Sequence, residues 1–190
     1  MNTSDTHVSA FDGDKLLSTG PLADVALAVK KAGVSDTLLI FEDATGRAVD
    51  IDTRGSEHDV VERLGRTHPG LVDAPRGPGR PKLGVVAREI TLLPRHWDWL
   101  STQPGGASVM LRKLVDEARR SDKNRIAQAR ETAYRFMSAI SGNRPHFEGA
   151  IRALFAGDKA SFERLIARWP ADIRAHTKKL ATNAFVKATA

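Results

Sequence analysis

Residues 8–33, VSAFDGDKLLSTGPLADVALAVKKAG, decide how the front of this chain folds. The apolar run Val8 to Phe11 meets Asp12-Gly13-Asp14, whose Asp-Gly pair suits the positive φ of a tight hairpin turn, and Lys15 to Thr19 return as a second strand. Pro21 then opens a helix, because proline presets φ and lacks the N–H that a first helical residue leaves unpaired. Leu22, Val25, Ala26 and Val29 recur at helical spacing, and Gly33 is the stop. Further along, Thr37 to Glu42 (TLLIFE) reads as a buried strand and Asp43-Ala44-Thr45-Gly46 as a turn. Val49 and Ile51 alternate with Asp50 and Asp52, the pattern of a strand with one wet face. Those two carboxylates are solvent-facing positions rather than a metal pair. Ser56, with Asp59 three residues on, caps a short helix carrying Val60, Val61 and Leu64. The predicted order over residues 1–66 is ββαββα, and the fold class is α+β.

The 190 residues contain no cysteine, which excludes a disulfide framework, a Cys-ligated zinc and a thiol nucleophile. No stretch approaches the roughly 18 apolar residues of a membrane span, and MNTSDTHVSA lacks the features of a signal peptide. A soluble cytoplasmic protein with no membrane partner is expected. The net charge of +6 divides unevenly. Residues 1–70 hold 7 basic and 12 acidic side chains, a balance of −5; residues 71–190 hold 22 and 11, a balance of +11. A rear half this basic suits a polyanionic partner.

Residues 67–84, THPGLVDAPRGPGRPKLG, hold four of the nine prolines and four of the fifteen glycines and read as a linker between two parts. Beyond it, residues 85–121 read as a short strand (VVAREITLL), a helix opened by Pro94, a turn at Pro104-Gly105-Gly106, and a second helix capped near Ser108. Leu111, Leu114, Val115 and Ala118 share one face of the second helix; Trp97 and Leu100 share one face of the first. Residues 122–190 read as a helical module. Its helices carry Ile126 to Ile140, Phe147 to Phe155, Phe162 to Ile166, and, from Pro170, Ile173, His176 or Thr177, and Leu180.

A lone strand ahead of two helices lacks a ladder partner, and a second copy of the chain supplies one. Two copies of Arg88 to Leu92 pair antiparallel across a two-fold axis, and Ile90, Leu92, Trp97, Leu100, Leu111, Leu114 and Val115 form the dimer core. The segment resembles the ribbon-helix-helix DNA-binding family, in which the paired strands enter the major groove. That resemblance implies base reading by outward residues. With Ile90 and Leu92 inward, Ala87, Glu89 and Thr91 face out; a one-residue slip exposes Arg88 instead. Glu89 departs from the basic or amide residue usual at such positions. Arg88 at the ribbon edge, Ser108 at its helix start and Arg112 complete the candidate DNA contacts. The competing arrangement is an intramolecular helical hairpin whose strand pairs with the front segment.

Arg76-Gly77-Pro78-Gly79-Arg80-Pro81-Lys82 resembles an AT-hook. Its prolines keep the backbone extended, its glycines allow close approach, and Arg76, Arg80 and Lys82 suit the narrow, negative minor groove of A·T-rich DNA. Placed just ahead of the strand, such an arm follows the minor groove beside a ribbon in the major groove.

Over its whole length the chain resembles an uncharacterised bacterial family known as domain of unknown function 2239, on FDGDKLLSTGPLADVALA, LLIFEDATGRAVDID, GRPKLGVVAREITLLPRHWDWLSTQPGGASVMLRKLVDEARR and AYRFMSA. The likeness brings no activity with it. The six histidines are scattered, with no pair at i, i+4, so no metal or other cofactor is implied. Asp172 and His176 read as a surface pair, and Trp97 and Trp99 as packing residues. No catalytic constellation emerges. The expectation is a homodimeric DNA-binding protein of the nucleoid, either a transcriptional regulator or an architectural protein. A non-enzymatic interaction or small-ligand-sensing scaffold with a pocket in the C-terminal helices is the second reading.

Overall fold

The computed structural model describes residues 7–33, 35–69 and 85–186. Most of the predicted linker, with Arg76, Arg80 and Lys82, lies outside the described residues. The front of the chain is an antiparallel sheet of β1 (His7–Asp12), β2 (Lys15–Pro21) and β3 (Leu38–Glu42) in the order β2-β1-β3. Gly13, at φ 56, makes the turn between β1 and β2. Helix α1 (Leu22–Ala32) follows β2 directly; Pro21 is its N-cap residue, Gly33 at φ 90 its C-cap, and Leu22, Val25, Ala26 and Val29 are its buried residues. Ser56 and Asp59 form the reciprocal capping box of α2 (Glu57–Thr67), which buries Val60 and Leu64.

Strand β1 is covered on both faces: Val8, Ser9, Ala10 and Phe11 are all fully buried. Alternation divides them. Val8 and Ala10, with Ile40 of β3, pack against α1 and α2. Phe11, with Phe41 of β3, turns to the opposite face and joins a cluster built from the rear helices. Those helices are α5 (Asp122–Ser141), α6 (Phe147–Ala156), α7 (Lys159–Leu165) and α8 (Ala171–Leu180), closed by a 3-10 turn at Thr182–Phe185. Front and rear therefore share a core. Between them in the sequence come α3 (Pro94–Ser101) and α4 (Gly106–Arg120). No helix among the described residues is long and apolar enough to cross a membrane.

The expected strand over Val49 and Ile51 does not form. A single bridge joins Ala48 to Phe41, and the chain then runs irregularly to Ser56. Side chains bind several carbonyls of this irregular stretch. Lys30 Nζ donates to Thr53 O at 2.9 Å and Gly55 O at 2.6 Å, and Arg63 donates to Asp52 O at 2.6 Å. Val49 and Ile51 still pack against the inner cluster, so their alternation reported burial and not pairing. Asp50 is exposed, whereas Asp52 is ion-paired to Arg54 at 2.7 Å and Arg63 at 3.4 Å. Hydrogen bonds from Arg54 hold the Asp52 carboxyl below its ordinary range.

Polar contacts seal the seam between sheet and bundle. Thr132 Oγ1 donates to Ala44 O at 3.2 Å, Leu16 N to Asp172 Oδ2 at 2.9 Å, and Arg144 pairs with Asp14. At its centre Asp43 accepts from Ser9 Oγ at 2.7 Å and from Lys179 Nζ at 2.7 Å. His176, expected on the surface with Asp172, is instead buried, its ring 5.3 Å from Phe11 and 4.7 Å from Phe136 and its Nε2 3.5 Å from Asp43 Oδ1. Asp172 is drawn off by the backbone of β2. Burial pushes the His176 pKa down; Asp43 opposes the shift and Lys179 adds to it.

Gly46, at φ 68, lies so close to α5 that a Cβ would sit 2.1 Å from Thr132 O, so Gly46→Ala should cost on the order of 2–3 kcal/mol in denaturant unfolding. By contrast, Gly65→Ala, inside α2 with nothing nearby, should stabilise by about 0.5 kcal/mol. The lowered His176 pKa means that the unfolded chain binds more protons below the ordinary value of 6.5. Stability is therefore lost as pH falls from 6.5 through the folded pKa, and His176→Phe should flatten the dependence of Tm on pH in that window.

Candidate nucleic-acid interface

Residues 85–93, expected as a strand, form none and pair with no strand of the sheet. Both the predicted strand and the alternative of an intramolecular pairing with the front segment are thus corrected for the single chain. One strand cannot satisfy its own backbone, and in the absence of a neighbour those groups face water. Residues 85–91 are exposed, Arg88, Glu89, Ile90 and Thr91 among them; Leu92 is half-buried.

Pro94 occupies the first turn of α3, as expected, and the helix ends where Ser101 and Thr102 hydroxyls donate to the carbonyls of Asp98 and Trp99, each at 2.7 Å. Gly105 and Gly106, with φ of 84 and 74, then reverse the chain. Because these two glycines accept conformations that side chains resist, α4 starts at Gly106 with Gly105 as N-cap residue. Ser108 consequently sits within the first turn and is not the cap, and it is exposed, as is Arg112 one turn on. At the far end Ser121 serves both helices. Its hydroxyl donates to Ala118 O at 2.8 Å and accepts from Asn124 N, starting α5.

The hairpin is short of an apolar partner. Leu100 is the buried residue of α3, and α4 has none. Leu111 is half-buried, Leu114 is 39% exposed and Val115 55% exposed. Those are the residues that helical periodicity marks as one inward face. Trp97 and Trp99, read from sequence as packing residues, are 42% and 47% exposed. Ile90 and Leu93 are similarly open. Of the proposed dimer core, therefore, one chain buries Leu100 and leaves most of the rest in contact with water. Exposed large apolar side chains are thus concentrated in this stretch of the chain. Basic groups lie alongside: Arg112 and Lys113 on α4, then Arg119 and Arg120 in its last turn.

The family model for DUF2239, described as an uncharacterised protein conserved in bacteria, matches residues 7–181. The chain belongs to this family. No curated protein and no solved structure matches it. In this DUF2239 chain the family match spans the sheet, the hairpin and the rear helices together. Among the described residues no group of His, Asp or Glu side chains is arranged to hold a metal.

Sequence reasoning missed the cluster of Ser9, Asp43, His176 and Lys179, whose members come from three distant stretches. Helical spacing had offered His176 or Thr177 beside Ile173 and Leu180, and the structure buries all four; what spacing could not supply is the partner, Asp43. Leu100→Ala should remove the main apolar tie within the hairpin, costing about 2–5 kcal/mol locally. Amide hydrogen exchange should then accelerate across residues 94–120 while β1 and α6 keep their protection.

Proposed function

We propose that the chain is a homodimeric DNA-binding protein acting in transcription regulation or nucleoid organisation. Residues 86–92 of two copies pair antiparallel and enter the major groove, and the arm at Arg76 to Lys82 follows the adjacent minor groove of A·T-rich DNA. The observation that carries this reading is the unsatisfied hairpin: exposed residues with strand-like alternation lead into two helices whose common apolar face is open to water. Antiparallel pairing of two such segments gives each backbone a ladder. It also brings Ile90, Trp97, Leu114 and Val115 of both copies together, an isologous contact that closes on itself. The resulting ribbon presents Glu89 and Thr91, or Arg88 in the slipped register, with Ser108 and Arg112 placed for phosphate. The balance of +11 beyond residue 70 supports a polyanionic partner, and the front's −5 disfavours unspecific contact on that side. A cytoplasmic, nucleoid location and a non-enzymatic role belong to the same proposal.

Light scattering should find a dimer without DNA. Because Leu114 and Val115 are already exposed in one chain, the pair Leu114→Asp and Val115→Asp should yield a folded monomer with DNA affinity reduced at least about tenfold. Fluorescence anisotropy should show affinity for an A·T-rich duplex falling steeply with salt. Arg80→Ala should lower the A·T preference and reduce the salt slope by about 1, whereas Thr91→Ala should alter sequence selectivity. A wild-type monomer refutes the shared ribbon, and an absence of duplex binding at low salt refutes the function. Deleting residues 75–82 separates this reading from a scaffold, in which the arm is only a tether and its loss leaves nucleic-acid binding unaffected.

A further inference from the structure

A cleft of about 380 Å³ opens where the turn after β3 meets the rear helices, a size within the range of small-molecule sites. Asp43 and Ala44 form one wall, α5 contributes Arg125, Gln128 and Thr132, and Lys179 and Asn183 close the far side. These walls are tied to one another. Thr132 Oγ1 binds Ala44 O at 3.2 Å, Lys179 Nζ binds Asp43 Oδ2 at 2.7 Å, and Arg130 Nε binds Ala184 O at 3.2 Å, pinning the 3-10 turn to α5. The cleft therefore exists before any ligand arrives, which lowers the ordering cost of binding.

Its chemistry is one-sided. Two cations, Arg125 and Lys179, face one carboxylate, and that carboxylate already accepts from both Ser9 and Lys179. Among the described residues the side chain of Arg125 has a loose contact with Asp122, at 3.7 Å, which leaves most of its planar fork of donors unspent there. Among the described residues the side-chain amides of Gln128 and Asn183 make no hydrogen bond, which leaves two more donors on the same opening. Ala129 and Leu180 supply a small apolar surface. We infer that this cleft binds a small organic anion, its carboxylate or phosphate held by Arg125 and Lys179 and its polar substituents by Gln128 and Asn183. A guanidinium fork matches the planar carboxylate and the phosphate edge alike, and a neighbouring ammonium adds a second positive point. A cationic ligand would meet a net positive wall with its one carboxylate occupied. The site uses no residue of 76–120, so it stands independently of the DNA-binding reading.

Titration calorimetry and thermal shift with inorganic phosphate and with succinate, against chloride at matched ionic strength, test it on the full chain. Saturable binding and a raised Tm are expected. Arg125→Gln should weaken binding at least about tenfold and Asn183→Asp should abolish it, both without changing the ligand-free Tm, since both positions are exposed. Arg168→Gln, exposed and outside the cleft, should bind as the wild type does. Saturation by phosphate alone assigns a phosphorylated ligand, and by succinate alone a carboxylate. Saturation by neither, or binding that survives Arg125→Gln and Asn183→Asp unchanged, overturns the inference.

Discussion

The double coverage of β1 is the constraint from which the rest of the structure follows. A three-stranded sheet this small buries little apolar surface by itself, so covering its second face adds substantially to what offsets the ordering of the chain. Here β1 places Val8 and Ala10 against α1 and α2, and Ser9 and Phe11 against the rear helices. Phe11 meets Phe41 edge-on at 6.3 Å and Phe136 in a tilted contact at 5.4 Å, so one buried strand ties an early part of the sequence to a late one. Each such ring contributes roughly 1.5–3 kcal/mol by burial, comparable to a sizeable part of a domain's net stability.

That junction also imposes polar demands. Ser9 sits on the face that meets the bundle, and Asp43 follows β3 at its edge; neither could be buried there without partners. They come from both sides: Lys179 of α8 neutralises Asp43, and Thr19 of β2 lies 3.0 Å from the Ser9 hydroxyl. His176 is the exception, a buried imidazole among aromatic rings whose Nε2 has no hydrogen bond. The seam that holds the two parts together thus contains a buried group whose protonation opposes folding.

Against this closed body the α3–α4 hairpin has a different physical status. It is held by Leu100, by the two-glycine reversal and by the shared cap at Ser121, while its helical stripe stays open. A globular chain seldom presents tryptophans and branched aliphatics in that density unless something covers them. In this structure the buried apolar side chains lie chiefly in the body, and the hairpin leaves much of its apolar surface open to water.

Local signals in the sequence determined much of this protein. Pro21, Gly33 and the Leu22 to Val29 spacing placed α1, the Ser56 and Asp59 pair placed α2, and the stripes after Ser121 placed the rear helices, because caps and periodicity act within a few residues. Tertiary structure decided what those signals could not reach. Ile51 alternates like a strand residue, yet pairing stops at the Ala48–Phe41 bridge, and Lys30 and Arg63, from neighbouring helices, bind the carbonyls of Thr53 and Asp52. His176 looks like the partner of Asp172 one turn away, yet Asp43, 133 residues earlier, is the carboxylate beside it, and β2 claims Asp172. Alternation and helical spacing state that a side chain will be buried. Which surface buries it depends on how distant segments meet, and that is a property of the assembled core alone.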